Sequence, residues 1–327
     1  MSTISGTTAS PTVSRGQIST LGGGYYSAEQ SIISNYSNIY PTAFSDYAAE
    51  EINIWIDERR YQNSPNAPYP MPNDEEECNR LEQLHVLIRG VLKQNYIAPL
   101  DEPKQALDIG CGTGTWMREM ALEFPDCEFT GIDISNILQG EKLPSNCTFK
   151  LGNALERLRF KDGSFDYVHQ LQFGLGVPKR HWPRLCREYK RILRPDGWME
   201  FAETDGRYFR TGPAGNAINN WLKNMYAARG IEPRRCCLLP EILADAGFPV
   251  VLRRIYSFPL GQWGKRLGQA ALVDAQLTLQ SLWPRIREVE PELTKEEFDR
   301  TVQLDWPVEV DEHKTYFNLR VYWCQKD

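Results

Sequence analysis

The stretch Ala106-Leu107-Asp108-Ile109-Gly110-Cys111-Gly112-Thr113-Gly114-Thr115-Trp116 decides the fold. An apolar run with one carboxylate enters three glycines at alternate positions, and Trp116-Met117-Arg118-Glu119-Met120-Ala121-Leu122 then opens a helix. Strand, tight loop and helix amino terminus follow one another. Glycine permits positive φ and lets a ligand approach the backbone without meeting a β carbon, while the first helical turn leaves NH groups unpaired. A polar, adenosine-sized ligand is expected across this loop.

Spacing separates the known kinds of nucleotide loop. A dinucleotide fingerprint needs Gly-x-Gly-x-x-Gly and a phosphate loop needs Gly-x-x-x-x-Gly-Lys-Ser/Thr. This loop reads Asp-x-Gly-x-Gly-x-Gly and has no lysine nearby. In that form it resembles the first motif of the class I S-adenosylmethionine-dependent methyltransferases. The following residues agree. Cys127-Glu128-Phe129-Thr130-Gly131-Ile132-Asp133 is a second strand-like run ending in a carboxylate, where an acid can accept both ribose hydroxyls. Thr148 to Ala154, Phe165 to His169 after the turn Asp162-Gly163-Ser164, and Trp198 to Phe201 after Arg194-Pro195-Asp196-Gly197 supply three further strands, with a helix from Glu188 to Leu193. Strands alternating with helices imply a parallel sheet covered on both faces.

Composition sets bounds on partners. The 327 residues are 41% hydrophobic and 24% charged, as in globular proteins. A net charge of -6 argues against a broad nucleic-acid footprint. No apolar run is long enough to span a bilayer and no secretory leader is recognisable, so the expected location is the cytoplasm. The eight cysteines form no Cys-x-x-Cys pair, and Cys236 and Cys237 are adjacent. Reduced thiols and no zinc site are the expectation.

Residues 1–24, rich in Ser, Thr and Gly, read as a disordered tail. Residues 25–100 read as a helical amino-terminal cap. Tyr25, Tyr26, Tyr36, Tyr40, Phe44 and Tyr47 are suited to packing or to closing over a sulfonium. Glu50 to Tyr61 shows helical spacing through Ile52, Ile54, Trp55 and Ile56. A second helix follows the acid run Asp74 to Glu77, with Leu81, Leu84, Ile88 and Leu92 at three- and four-residue steps; acids at a helix amino terminus suit its dipole.

The segments Arg60-Tyr61, Tyr69 to Glu75 and Arg80 to His85, with Phe165 to Gln170 and Arg194 to Glu200, are similar to a fungal subgroup of these enzymes. This LaeA-like, TAM-domain or UMTA-type subgroup holds a secondary-metabolism regulator and many small-molecule methyltransferases. Two departures stand out: Asn153 replaces an acid common in the third motif, and Gln170-Leu171-Gln172 replaces a basic residue after the fourth strand. Asparagine can still bond an adenine amino group through its side-chain carbonyl. The resemblance implies S-adenosyl-L-methionine as cofactor. It assigns Asp108, Gly110, Cys111, Gly112 and Gly114 to the methionine moiety and backbone contacts. Asp133 with Ile134 then serves the ribose, Asn153 with Ala154 the adenine, and His169 lies beside them.

Methyl transfer needs chiefly positioning, which supplies about 7 to 11 kcal/mol, and a general base is optional. Ligands of parallel sheets lie beyond the carboxyl ends of the strands, so His169, Gln170 and Gln172 after one strand, and Glu203 and Asp205 after the next, are placed toward an acceptor. His169, Gln170 and Glu203 are the catalytic candidates, with His181 an alternative base or a helix-start residue. No Asn-Pro-Pro-Tyr or Asp-Pro-Pro-Tyr motif follows the fourth strand.

After Gly206 the alternation breaks. Asn216 to Ala228, Leu238 to Ala246, Leu267 to Val289 and Thr294 to Leu304 read as helices, Val250 to Phe258 and Tyr316 to Cys324 as strands. The expected architecture is α/β, a doubly wound seven-stranded Rossmann-like sheet over residues 101–206, with residues 207–327 adding a helical insertion and the closing strands. That insertion reads as a substrate lid, or as surface packing or a homodimer face. The expected reaction moves a methyl group to an O, N or S nucleophile of a small-molecule acceptor. The alternatives are a LaeA-like regulator working through protein partners, in the nucleus, and a cofactor-binding enzyme of other chemistry.

Overall fold

The computed structural model describes residues 53–64, 67–138 and 142–327. The expected tail over residues 1–24 and the tyrosine-rich segment from Tyr25 to Tyr47 lie outside the described residues.

Two short strands come first, β1 (Asn53–Ile56) and β2 (Arg59–Gln62), paired antiparallel with Ile54 opposite Tyr61. Asp57 and Glu58 join them with φ of 50° and 64°, the twist that suits a two-residue hairpin turn. The helix expected over Glu50 to Tyr61 is therefore corrected to a hairpin from Asn53 onward. Ile54 and Ile56 are half-buried while Trp55 between them is 68% exposed, an alternation of period two. Tyr61 is buried, and its hydroxyl donates to the Ser281 carbonyl at 3.1 Å.

Helix α1 (Glu75–Leu92) begins where the acid run predicts. The Asp74 carboxylate caps it, accepting from the Glu77 amide at 3.0 Å, and also holds Arg59 of β2 at 2.6 and 2.9 Å. The alternating core follows: β3 (Gln105–Ile109), α2 (Thr115–Glu123), β4 (Glu128–Asp133), β5 (Cys147–Leu151), β6 (Phe165–Leu171), α3 (Trp182–Ile192) and β7 (Leu193–Thr204). After it come α4 (Pro213–Ala228), α5 (Leu239–Asp245), β8 (Val251–Pro259), α6 (Lys265–Arg287), α7 (Lys295–Arg300), α8 (Trp306–His313) and β9 (Tyr316–Gln325).

The sheet has seven strands in the order β5-β4-β3-β6-β7-β9-β8. All neighbours are parallel except β9, which is antiparallel to both β7 and β8. This is the doubly wound seven-stranded sheet that the sequence implies. Central β6 is buried along six of its seven residues, as a strand covered on both faces should be. Register aligns Gly131, Asp108, His169 and Glu200 in one row across four strands. The buried Glu200 carboxylate accepts from the Ile97 and Ala98 amides at 2.8 and 2.7 Å, fixing the chain that leads from α1 into β3.

Helices α6 to α8 interrupt the connection between β8 and β9, yet the two strands still pair over nine residues. The insertion has its own core, in which Leu279, Leu282, Phe298 and Trp306 pack with Ile218 and Leu222 of α4. The buried Glu309 carboxylate accepts from the Gly212, Ala214 and Gly215 amides at 2.8, 2.6 and 2.8 Å, so α8 closes the amino terminus of α4. Among the described residues no helix is long and apolar enough to cross a membrane.

Candidate active site

The glycine loop adopts the expected strain. Gly110, Gly112 and Gly114 have φ of 67°, 53° and 69°. A β carbon on Gly110 would lie 2.5 Å from Phe173 Cδ2, so glycine is needed there for close packing as well as for conformation. A β carbon on Gly112 would meet only Leu81 Cδ1, at 3.8 Å, because the loop faces α1 across open space.

That space is a cavity of about 1210 Å³, part of it open to solvent. Asp108, Gly110, Cys111, Gly112, Asp133 and Ile134 line it from β3, β4 and the loops after them, with Asn153, Ala154 and His169 from the neighbouring strand ends. Gly114, by contrast, caps α2 and packs on Leu138 and Met117. The roof is the apolar face of α1 through Leu81, Leu84 and Ile88. The periodicity that marks this helix thus serves a ligand as much as the core. Burial pushes the Asp133 carboxyl up, opposed by the Ser135 and Gly112 amides that donate to its two oxygens at 2.9 and 3.0 Å. The Ile134 amide donates as well, and three donors on two oxygens leave lone-pair capacity toward the ribose. The Asn153 side-chain carbonyl accepts from the Leu155 amide at 2.9 Å, likewise with one lone pair left. The donor set, the apolar roof and the space above Gly112 fit S-adenosylmethionine.

Of the three catalytic candidates, only His169 lines this cavity. Its Nδ1 is 2.9 Å from Asp108 Oδ1, and its ring stacks on Trp116 with centroids 3.9 Å apart and planes 4° apart. The ring is 3% exposed and held from both sides. Gln170 and Glu203 sit elsewhere, bonded to each other at 2.6 Å. Glu203 also accepts from the Phe173 and Gly174 amides at 3.2 and 2.9 Å, and the Tyr189 hydroxyl donates to Gln170. The pair anchors the loop after β6 that presses Phe173 on Gly110. Burial raises the Glu203 carboxyl to about 7 against these donors.

Asp205 turns away as well, accepting from Arg320 and Asn318. Cys236, Cys237 and Asp205 bring three ligand atoms within 4.8 Å of one another, but the Arg320 guanidinium already occupies the carboxylate. His181 precedes α3 and faces a different hollow beside Arg180 and Arg184; burial and then those two charges push its imidazole down.

No motif marks a second cavity of about 820 Å³, part of it open to solvent, that shares Tyr69, Leu81, Leu84 and Gln172 with the first. Its remaining wall includes Arg80, Thr204, Tyr208, Tyr226, Asp274 and Phe317. Arg80 and Asp274 are 194 positions apart, joined by a hydrogen bond of 2.9 Å.

Comparison with known proteins agrees with the reading of the loop. Residues 106–197 match the family described as a methyltransferase domain. The chain is similar to methyltransferases, with the domain match confined to these residues. Among relatives, it is 30% identical over 218 residues to methyltransferase pytC of Aspergillus terreus, covering 63% of this chain and 65% of that protein. It is 32% identical over 214 residues to laeA of Emericella nidulans, a protein-methionine methyltransferase, covering 63% of this chain and 56% of that one. The chain thus spans less than two thirds of the length of either relative. A solved structure of phosphoethanolamine N-methyltransferase 2 of Haemonchus contortus with S-adenosyl-L-methionine is 17% identical, with a TM-score of 0.46, over 75% of this chain and 52% of that one.

Proposed function

We propose that this protein transfers the methyl group of S-adenosylmethionine to an O, N or S nucleophile of a small-molecule acceptor. The observation that carries the reading is the pair of adjoining cavities. One lies over the glycine loop and the Asp133 carboxylate, and the other is walled by the helical insertion and shares four residues with the first. In this reading Asp133 takes the ribose hydroxyls, Asn153 and Ala154 the adenine edge, and the backbone of Gly110 to Gly112 the methionine portion. His169 is part of the wall, oriented by Asp108 and Trp116. The insertion acts as the lid, since α1 and α6 enclose the acceptor and exclude water.

Calorimetric titration with S-adenosylmethionine and S-adenosylhomocysteine, on the wild type and on Asp133→Ala, tests the cofactor assignment. Binding by the wild type that weakens at least tenfold in the variant supports it, and a folded wild type that binds neither compound refutes it. A second reading, regulation through protein partners, is favoured by the similarity to laeA. Specific recovery of one partner from cell extract, with no small molecule gaining the mass of a methyl group, would favour that reading.

A further inference from the structure

The second cavity has an unbalanced charge. Arg80 donates to Glu77 through Nη2 and Nε at 2.6 and 3.0 Å, and through Nη1 to one oxygen of Asp274 at 2.9 Å. Ser281 Oγ adds a bond to Glu77 at 3.2 Å. Two carboxylates therefore face one guanidinium, which leaves one negative charge on the wall of this cavity. Asp274 Oδ1 is held by Arg80, and the 14% of the Asp274 side chain that remains exposed belongs to the cavity wall. The other cation on that wall, Arg207, is exposed and lies over the Phe209 ring at 4.3 Å. The aromatic rings of Tyr69, Tyr208, Tyr226 and Phe317 surround the space. An uncompensated buried charge is costly, and aromatic faces attract cations.

We propose that the acceptor is an organic amine that enters this chamber as an ammonium, with its nitrogen against Asp274. The proposal deepens the methyltransferase reading and rests on it. Asp274 takes one proton from the bound ammonium, which frees the nitrogen lone pair. That pair forms the new N–C bond while the C–S bond of the sulfonium breaks, its electrons staying on sulfur. The product leaves as a methylated ammonium, and Asp274 returns its proton to solvent. Burial pushes the Asp274 carboxyl up against the pull of Arg80, the direction a proton acceptor needs. A hydroxyl acceptor would leave the negative charge uncompensated.

The test uses full-length protein saturated with S-adenosylhomocysteine and titrates phenethylamine and tryptamine against the matched alcohols, 2-phenylethanol and tryptophol. At least one amine binds at least tenfold more tightly than its alcohol, and Asp274→Asn, still saturated with S-adenosylhomocysteine, reduces that preference below threefold. Equal binding of amine and alcohol by the wild type, or no binding of either amine, overturns the proposal whether or not the variant folds. A folded variant that keeps the preference overturns the role of Asp274. Failure of S-adenosylhomocysteine to bind refutes the methyltransferase reading first, and the amine proposal falls with it.

Discussion

Gly110 and Gly112 separate two costs that a glycine loop usually mixes. Both have positive φ, so alanine at either position meets the left-handed penalty of about 1 to 2 kcal/mol. At Gly112 the added methyl has open space before Leu81. At Gly110 it would meet Phe173 Cδ2 at 2.5 Å, Cγ at 3.2 Å and Cε2 at 3.3 Å. Bonds from its amide to Glu203 and from the Gly176 amide to its carbonyl fix the Phe173 backbone, so the ring can give way only by leaving its rotamer. Overpacking of this kind costs about 1 to 3 kcal/mol more. Gly110→Ala should therefore destabilise the protein by about 2 to 5 kcal/mol and Gly112→Ala by about 1 to 2 kcal/mol.

Scanning calorimetry without ligand reads the difference, at roughly 2 °C per kcal/mol for a chain of this size. A double-mutant cycle sharpens it, since Gly110→Ala made in a Phe173→Ala background should keep only the conformational cost. The reasoning fails if Gly110→Ala is no less stable than Gly112→Ala, or if removing Phe173 leaves its cost unchanged. S-adenosylhomocysteine separates the two in the other sense. The Gly112 methyl projects into the cavity, so that variant should lose cofactor affinity out of proportion to its small loss of stability.

Two further outcomes follow from buried carboxylates. The Glu203 value of about 7 lies above its ordinary 4.5, so the folded state takes up a proton that the unfolded state has lost. Its contribution is most favourable below pH 4.5 and declines as pH rises to 7, by about 3 kcal/mol in all. Denaturation of wild type and Glu203→Gln from pH 5 to pH 8 should show the wild type losing stability relative to the variant, and parallel curves would refute this. Glu309→Ala removes the acceptor of three amides at the start of α4 and should cost about 2 to 4 kcal/mol, with limited proteolysis first cutting near Gly212. Cleavage elsewhere at unchanged stability would show that the three bonds do not hold the insertion to α4.

The readability of the chain followed the range of its contacts. The glycine loop, Asp133 and Asn153 belong to consecutive strand and helix units, so motif and structure coincide there. The hairpin was missed because Ile52, Trp55 and Ile56 fit a helical step while Ile52, Ile54 and Ile56 fit a strand, and short runs do not distinguish the two. Asp57-Glu58 is also an unusual pair for two positive φ angles. Gln170 and Glu203 were misplaced for a simpler reason. Successive strand residues point to opposite faces, so placing His169 on the cavity side sends Gln170 to the other. That alternation is legible in the sequence and separates His169 from Gln170.

The second cavity could not be read at all, because its parts meet only when the insertion docks. Helix α1 has two neighbouring uses: Leu81 and Leu84 roof the cofactor cavity, while Arg80 reaches Asp274 of α6. One turn of one helix therefore touches both ligand spaces, and its position depends on α6 for charge and on Glu119 of α2 for anchorage. Burial works against ionisation of Glu119, but hydrogen bonds from His85 and Arg89 outweigh it and hold the carboxyl at about 2. Across the neutral range Glu119 stays charged and keeps α1 tied to the helix that begins at the glycine loop. A shift of α1 that widened the second cavity would thus move the roof of the first as well. The two cavities are coupled through this helix, and substitutions on α6 that reshape the second should leave a measurable trace in S-adenosylhomocysteine binding.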